Sequence, residues 1–383
     1  MVKIEKLVFG GCGLGRDGGE VVLIPGVAAG EIVEYDDDGL RGGVRVGRVR
    51  RIVSESPCRR AAPCVHAGVC GGCDWLHLQY DEQARCKKEI FLDCIDRIGK
   101  FDRLNDIPVF TAAEFGYRIR AQIKIDRQNK IAGFYRKKSN TVVKIDKCPL
   151  LADDINGVLA KLNAGMIDTV PDGVKAIKCL AGNRLSAYPP ISGLASADTE
   201  ICVAGIKFFA DGGSFFQANK FLLETLGGWA GEFIGGKYCL DLYGGIGFFS
   251  LMLADNFTEI VLAENVAAQV RAAQWNFQAN GKNHIKAVLA DVERDDSLNK
   301  LIKKARPDCV IIDPPRPGLV KNMRKWLTDT APPAILYISC NPSTFARDAR
   351  ALTHGGYELT NWALFDLYPN THHIESAAIF RCK

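Results

Sequence analysis

Residues 334–352, AILYISCNPSTFARDARAL, decide how the chain is read. Ala334–Ile338 is a short apolar run of β-formers, the pattern of a buried parallel strand. Pro342 stops it after Ser339-Cys340-Asn341, and Ser343-Thr344 is expected to cap an amphipathic helix from about Phe345 to Leu352. Cys340 then stands at the carboxyl end of a strand, where open α/β sheets bind ligands. Taken alone, such a cysteine is more commonly a small buried hydrophobe, so its neighbours must decide.

Working outward, strands and helices alternate from about Ala210. Phe215-Phe216-Gln217-Ala218-Asn219 is expected to open a helix through Leu226. Lys237–Tyr243 reads as a strand running into Gly244-Gly245-Ile246-Gly247 and a helix over Phe248–Ala254. A strand, a Gly-rich turn and a helix form a nucleotide-type cofactor site. The spacing Asp241-x2-Gly-Gly-x-Gly suits adenosylmethionine better than a dinucleotide. Glu264 ends a second strand, Ile260–Ala263, before a helix over Ala267–Asn280; an acid about 20 residues past the glycines suits a ribose hydroxyl pair, or it caps the helix. Asp291 ends a third strand (Ala287–Ala290), and Asp313-Pro314-Pro315-Arg316 follows a fourth (Asp308–Ile312). In a doubly wound sheet Asp241, Glu264, Asp291, Asp313 and Cys340 line one edge, so the reading is of one site. Glu375 precedes a buried strand, Ser376–Phe380, as a general base or as a capping acid. His372 and His373 read as orienting or structural groups, since no spacing supports a metal.

The chain has 383 residues, 47% of them hydrophobic, and a formal net charge of +5. That is enough for two or three domains with sizeable cores and excludes global disorder. Without a signal peptide or an apolar run of about 18 residues, a soluble cytoplasmic protein with no membrane association is expected. Fourteen cysteines then favour metal ligation, a nucleophile and free thiols over disulfides. Residues 2–35 and Val44–Val53 read as a small basic β unit, a type that often binds RNA. Cys64-x5-Cys70-x2-Cys73 lies in a Gly-rich loop and suits zinc or an iron–sulfur cluster, with Cys58, Cys86, Cys94 or Cys148 as fourth ligand. Asp81–Ile98 has helical spacing. Arg118–Tyr135 reads as two strands whose basic positions interleave with Tyr117, Phe134 and Tyr135, either a surface for single-stranded nucleic acid or an ordinary basic sheet face. Residues 151–205 carry no usable motif.

The chain resembles the RNA uracil-C5 methyltransferases, the family that makes 5-methyluridine. The likeness rests on Ser339-Cys340-Asn341-Pro342-x-Thr344-x-Ala346-Arg347-Asp348, Asp313-Pro314-Pro315-Arg316, Phe216-Gln217-x-Asn219 and Tyr368-Pro369-x-Thr371-x-His373-Ile374-Glu375. It implies an α/β fold: a Rossmann-like S-adenosylmethionine-dependent methyltransferase domain over 206–383, preceded by an N-terminal barrel (TRAM/OB-like) over 1–54 and an iron–sulfur-bearing central α+β domain over 55–205, of which about 81–107 packs on the catalytic domain. It implies Cys340 as nucleophile, Glu375 as general base and Asp313 as the group that positions the uracil. S-adenosylmethionine would be held by Gln217, Asp241, Tyr243, Gly244, Gly245, Gly247, Glu264, Asp291 and Asp313. The cysteine loop is similar to that of ribosomal RNA members, implying a [4Fe-4S] cluster on Cys64, Cys70, Cys73 and Cys148, with Cys58 a bystander. Gly244 stands where many members carry cysteine, and Phe248 where a small polar residue is common. The implied substrate is an unstacked uridine, in 23S rRNA first and in the tRNA T-loop second, with no obligate protein partner. The rival classes are a non-catalytic RNA-binding protein and a radical adenosylmethionine enzyme; the latter typically shows Cys-x3-Cys-x2-Cys, which the five-residue gap here does not match.

Overall fold

The structure is a computed structural model describing residues 1–101, 107–294 and 306–383. At the amino end, β1 (Val2–Leu7), β2 (Cys12–Asp17), β3 (Glu20–Pro25), β4 (Ile32–Arg41) and β5 (Val44–Ser54) close a barrel in the order β1-β2-β3-β5-β4. Alternation turns Val2, Ile4, Val22, Ile24 and Val33 inward, where they form its core with Val27. Several of the barrel's arginines are paired with its own acids: Arg45 with Glu20 and Asp37, Arg48 with Asp36 and Asp38, and Arg50 with Glu34. Exposed pairs of this kind are weak.

Residues 55–79 carry no helix or strand. Then α1 (Tyr80–Cys94) lays Ile90 and Phe91 into the catalytic core, where Phe91 stacks on Phe345 at 5.5 Å. The short β6 (Val109–Phe110) adds to the edge of the catalytic sheet beside Leu364 and Phe365. A separate sheet follows, built from β7 (Arg120–Asp126), β8 (Ile131–Tyr135), β9 (Val142–Lys144), β10 (Ala176–Ala181) and β11 (Leu185–Tyr188) in the order β11-β10-β7-β8-β9, with α2 (Asp153–Asn163) packed on it. A hairpin, β12 (Thr199–Val203) and β13 (Ile206–Ala210), leads to the C-terminal half.

That half contains α3 (Leu223–Phe233), β14 (Gly236–Leu242), α4 (Phe248–Met252), β15 (Phe257–Glu264), α5 (Ala267–Ala279), β16 (Ile285–Leu289), β17 (Cys309–Ile312), α6 (Lys321–Thr330), β18 (Ala334–Ser339), α7 (Pro342–His354), β19 (Tyr357–Phe365) and β20 (Glu375–Cys382). Among the described residues the sheet has eight strands in the order β16-β15-β14-β17-β18-β20-β19-β6. Strands β16 to β18 run parallel, and β20 is inserted antiparallel beside β18. The strand order reverses at β14, which opens a crevice at its carboxyl end. Every residue of β17 and β18 is buried, as expected for strands covered on both faces. No described helix is long and apolar enough to cross a membrane.

Two local expectations are corrected. The helix expected from Phe215 starts only at Leu223. Asn219 spends its side chain on Phe221 N and on the carbonyls of Asp366 and Leu367, bonds that compete with helix formation. The helix expected from Phe345 starts at Pro342, where a missing N–H costs nothing. Its cap is Asn341, whose side-chain oxygen accepts from Ser343 N at 3.1 Å and Thr344 N at 3.5 Å.

Candidate active site

Register brings the site together. Leu242 pairs with Ala263 and Ile312, and Ile312 with Tyr337, so β14, β15 and β17 end within one residue of each other and β18 runs two residues further, to Ser339. Ser339 pairs with Ser376 across the antiparallel β18–β20 ladder. Cys340, one residue beyond Ser339, and Glu375, one residue before Ser376, therefore meet at the same edge. Both line a cavity of about 700 Å³ with Gln217, Tyr243, Gly245, Glu264 and Asp313. Gln217 Nε2 donates to Asp313 Oδ2 at 3.4 Å.

The rest of the Cys340 motif is structural. Asn341 Nδ2 and Thr344 Oγ1 donate to the Arg316 carbonyl, which clamps the loop after Asp313 onto the start of α7. Buried Asp348 accepts from Tyr337 OH and Leu319 N, both at 2.8 Å, and pairs with Arg324 and Arg347. These bonds hold the 314–320 loop that carries Arg316 into the cavity.

The glycine turn is tight for identifiable reasons. Tyr243 has φ 61 and Gly247 φ 90, both left-handed, and a Cβ on Gly247 would lie 2.5 Å from Phe277 Cε1. A Cβ on Gly244 would lie 2.4 Å from Leu262 Cγ, so Leu262 occupies the space that the family's usual cysteine would need. The cradle suits a nucleoside bearing hydroxyls. Glu264 is already oriented by backbone N–H groups, with Oε2 accepting from Gly245 and Oε1 from Asn265 and Val266. A carboxylate has about four lone-pair sites, so acceptor capacity remains toward the cavity. The Tyr243 hydroxyl is buried without a hydrogen bond of normal geometry, and Glu293 and Asp291 are among the carboxylates acting on it.

Four expected cofactor residues, Asp241, Gly244, Gly247 and Asp291, do not line this cavity; the two glycines pack against Leu262 and Phe277. Asp241 turns inward and accepts from Ser250 N at 3.1 Å and Ser250 Oγ at 2.6 Å, tying β14 to α4. Asp291 accepts from Glu293 N and pairs with Arg294. A strand end sets where a backbone stops, but not which way the last side chain turns. Conversely, Arg118, Arg316, Tyr368, Thr371 and His373 line the cavity without having been expected there. Arg118 and Arg120 had been assigned to a basic strand face. Instead the Arg120 guanidinium sits 5.2 Å from the Phe215 ring centre, and Phe215 lies at the cavity wall.

Burial dominates the electrostatics. It pushes the Cys340 thiol up to about 11, with Glu375 and Asp313 adding to the rise and Arg316 opposing it. Burial, then Asp241, pushes Asp313 up to about 7. Glu375 is raised well above the ordinary carboxylate range by burial and then by Asp313, and Arg316 opposes this too. His373 falls to about 4 through burial, then His372 and Arg316, so it is neutral at physiological pH. In the free site the Cys340 thiol and the Glu375 carboxyl thus tend to keep their protons, because burial disfavours their charged forms.

Cys64, Cys70, Cys73 and Cys148 line a second cavity of about 280 Å³. Gly72 and Arg118 line both cavities. Gly71 lies 3.0 Å, at its Cβ position, from Tyr135 O, so the loop packs directly on β8. Among the described residues no group of three or more His, Cys, Asp or Glu side chains is gathered tightly enough to hold a metal ion.

An open sheet in this order, with a glycine turn after its first strand and an oriented acid after its second, forms a site for a nucleoside-type cofactor. A family model for tRNA (uracil-5-)-methyltransferases matches residues 198–383. Over 423 aligned residues the chain is 32% identical to an uncharacterized RNA methyltransferase of Aquifex aeolicus, covering 99% of this chain and 98% of that one. It is 29% identical to the 23S rRNA (uracil(1939)-C(5))-methyltransferase RlmD of Shewanella amazonensis, covering 99% of this chain and 95% of that one. The fold is that of the Pyrococcus abyssi tRNA (uracil-54, C5)-methyltransferase, solved with S-adenosyl-L-homocysteine, at TM-score 0.78 and 23% identity over 99% of this chain and all of that one. The chain belongs to the RNA uracil-C5 methyltransferase family. It is an S-adenosylmethionine-dependent enzyme whose substrate is RNA.

Proposed function

We propose that the chain methylates C5 of one uridine in 23S rRNA by way of a covalent Cys340 adduct. The observation carrying this is the convergence of Cys340, Glu375 and Asp313 in one cavity, set by the Ser339–Ser376 pairing. C5 of uracil is a poor nucleophile. The Cys340 thiolate adds at C6, and the ring electrons move to the C4 oxygen, which makes C5 enolate-like. S-adenosylmethionine, when bound, supplies an electrophilic methyl group. Tyr243, Gly245, Glu264 and Gln217 would hold it against the turn. Asp313, protonated as burial favours, would donate to the uracil edge. Glu375 then takes the C5 proton, the C5–C6 double bond re-forms, and the thiolate leaves. For C6 to reach Cys340 the base must be out of its stack. The barrel and the basic sheet would hold such a single-stranded loop, and a cytoplasmic location would suit an RNA substrate.

The ribosomal choice is supported by RlmD enzymes that align along nearly the whole chain. The second reading, a tRNA uridine, is favoured by the family model and by the archaeal tRNA enzyme's fold. Mapping 5-methyluridine in RNA from a deletion strain separates them. The modification is expected to vanish from 23S rRNA and persist in tRNA; the reverse pattern would favour the second reading.

The cysteine cavity suits a [4Fe-4S] cluster on Cys64, Cys70, Cys73 and Cys148. Soft thiolate ligands take iron–sulfur clusters as well as zinc, and the loop carries one Cys-x2-Cys unit where zinc sites usually carry two. The thiols are close enough to act on each other: burial raises the Cys73 thiol most, and Cys148, Cys70 and Cys64 add to it. The cluster would tie the loop to the sheet, and the methyl transfer requires no electron from it. Protein purified without oxygen is expected to be brown and to contain iron and sulfide, and Cys148→Ser to lose both. A colourless zinc protein, or an intact cluster in Cys148→Ser, would overturn this assignment.

A further inference from the structure

The segment 366–374, which carries Tyr368, Thr371 and His373 into the active cavity and ends against Glu375, has no helix or strand of its own. Its hydrogen bonds go largely to the N-terminal half. Lys87 Nζ donates to Asp366 Oδ1 at 2.6 Å and to the Tyr368 carbonyl at 2.9 Å. Asn370, left-handed at φ 66 and fully buried, bonds Gln83 Oε1 through its N–H at 2.7 Å, and its carbonyl accepts from Asp74 N and Trp75 N. Asp74, the residue after Cys73, then takes His372: Oδ2 lies 2.6 Å from His372 Nδ1 and accepts from His372 N at 3.4 Å. Lys137 pairs with the other oxygen of Asp74.

We infer that Asp74 is a positioning residue that fixes the His372–Glu375 run, and so holds the Glu375 carboxylate where the C5 proton must be removed. This rests on the uridine-methylating reading above. The Asp74 side chain is 8% exposed and paired on both oxygens, and Asp74 is bonded through backbone and side chain to two residues of a segment that has no helix or strand of its own. Among the described residues no other group hydrogen-bonds the His372 ring.

The test compares Asp74→Ala, Asp74→Asn, His372→Ala and the Asp74→Ala/His372→Ala double variant on a target rRNA fragment with S-adenosylmethionine. Asp74→Ala is expected to lower kcat roughly 10- to 100-fold, the scale of a small misplacement of a catalytic group, with KM for RNA changed far less. Adduct formation at Cys340 continues while proton removal slows, so protein–RNA adduct resistant to denaturing electrophoresis accumulates on ordinary uridine. Asp74→Asn keeps an acceptor for His372 and recovers most of the rate. The double variant is no slower than the worse single one, because both remove one contact. Thermal unfolding monitors whether each variant is folded. A wild-type kcat in Asp74→Ala, a loss of kcat without accumulated adduct, or additive losses in the double variant would overturn the inference. Wild-type protein that forms no 5-methyluridine would instead overturn the reading on which it rests.

Discussion

With Glu375 replaced by glutamine, incubation with target RNA and S-adenosylmethionine is expected to leave the protein covalently joined to methylated RNA. Glutamine keeps the shape of the carboxyl group and resembles its protonated form, which burial already favours at this position. The β18–β20 ladder and the cavity should survive. What is lost is the base for the C5 proton. Addition at C6 and methyl transfer do not need that base, but β-elimination of Cys340 does, because the thiolate cannot leave until C5 gives up its proton. Removing a positioned general base costs roughly 10²- to 10⁴-fold in turnover, and the whole cost falls on the last step. A labelled RNA that migrates with the protein on a denaturing gel, and carries the transferred methyl group, is the expected result. Reversible binding alone would show that another group takes the proton.

Cys340→Ala is expected to abolish both the adduct and the methyl transfer while leaving RNA binding intact. Loss of a covalent nucleophile costs on the order of 10⁶-fold in a well-studied hydrolase, and a similar collapse is expected here because C5 has no other route to enolate character. The wild-type protein adds a pH signature. Its thiol is pushed up to about 11, chiefly by burial and then by Glu375 and Asp313, so the reactive thiolate is scarce at neutral pH. Adduct formation in the free-enzyme regime should therefore speed up as pH rises through the neutral and mildly alkaline range, by about tenfold per unit while the thiol stays protonated. RNA carrying 5-fluorouridine, which has no C5 proton to lose, traps the adduct and measures this rate directly. Methyl transfer by Cys340→Ala at the wild-type rate would exclude Cys340 as the nucleophile, and adduct formation independent of pH would show that its thiol is already ionised.

Much of the site was legible because its signals are local. Apolar runs ending in Asp, Glu or Cys mark strand ends, and an open sheet gathers strand ends at one edge. Cys340, Asp313 and Glu264 were marked in this way and Glu375 by its place in a family motif, and all four line one cavity with Gly245 of the glycine turn. Asp241 was misread because side-chain direction at a strand end depends on what lies beneath it, here Ser250. The Phe215–Leu222 stretch was misread as helix because Asn219 is recruited by carbonyls 147 and 148 positions away.

The amino-acid sequence by itself determined the class of fold and, through its short motifs, the family, and it named Cys340 and Glu375 as the candidate reacting pair, since strand periodicity, turn glycines and motifs are written within a few residues. Only the tertiary structure decided what holds that pair in place. Lys87 meets Asp366 across 279 positions, Gln83 meets Asn370 across 287, and Asp74 meets His372 across 298. Such contacts leave no periodic trace in one chain, because they exist only once the N-terminal half has packed against the catalytic sheet.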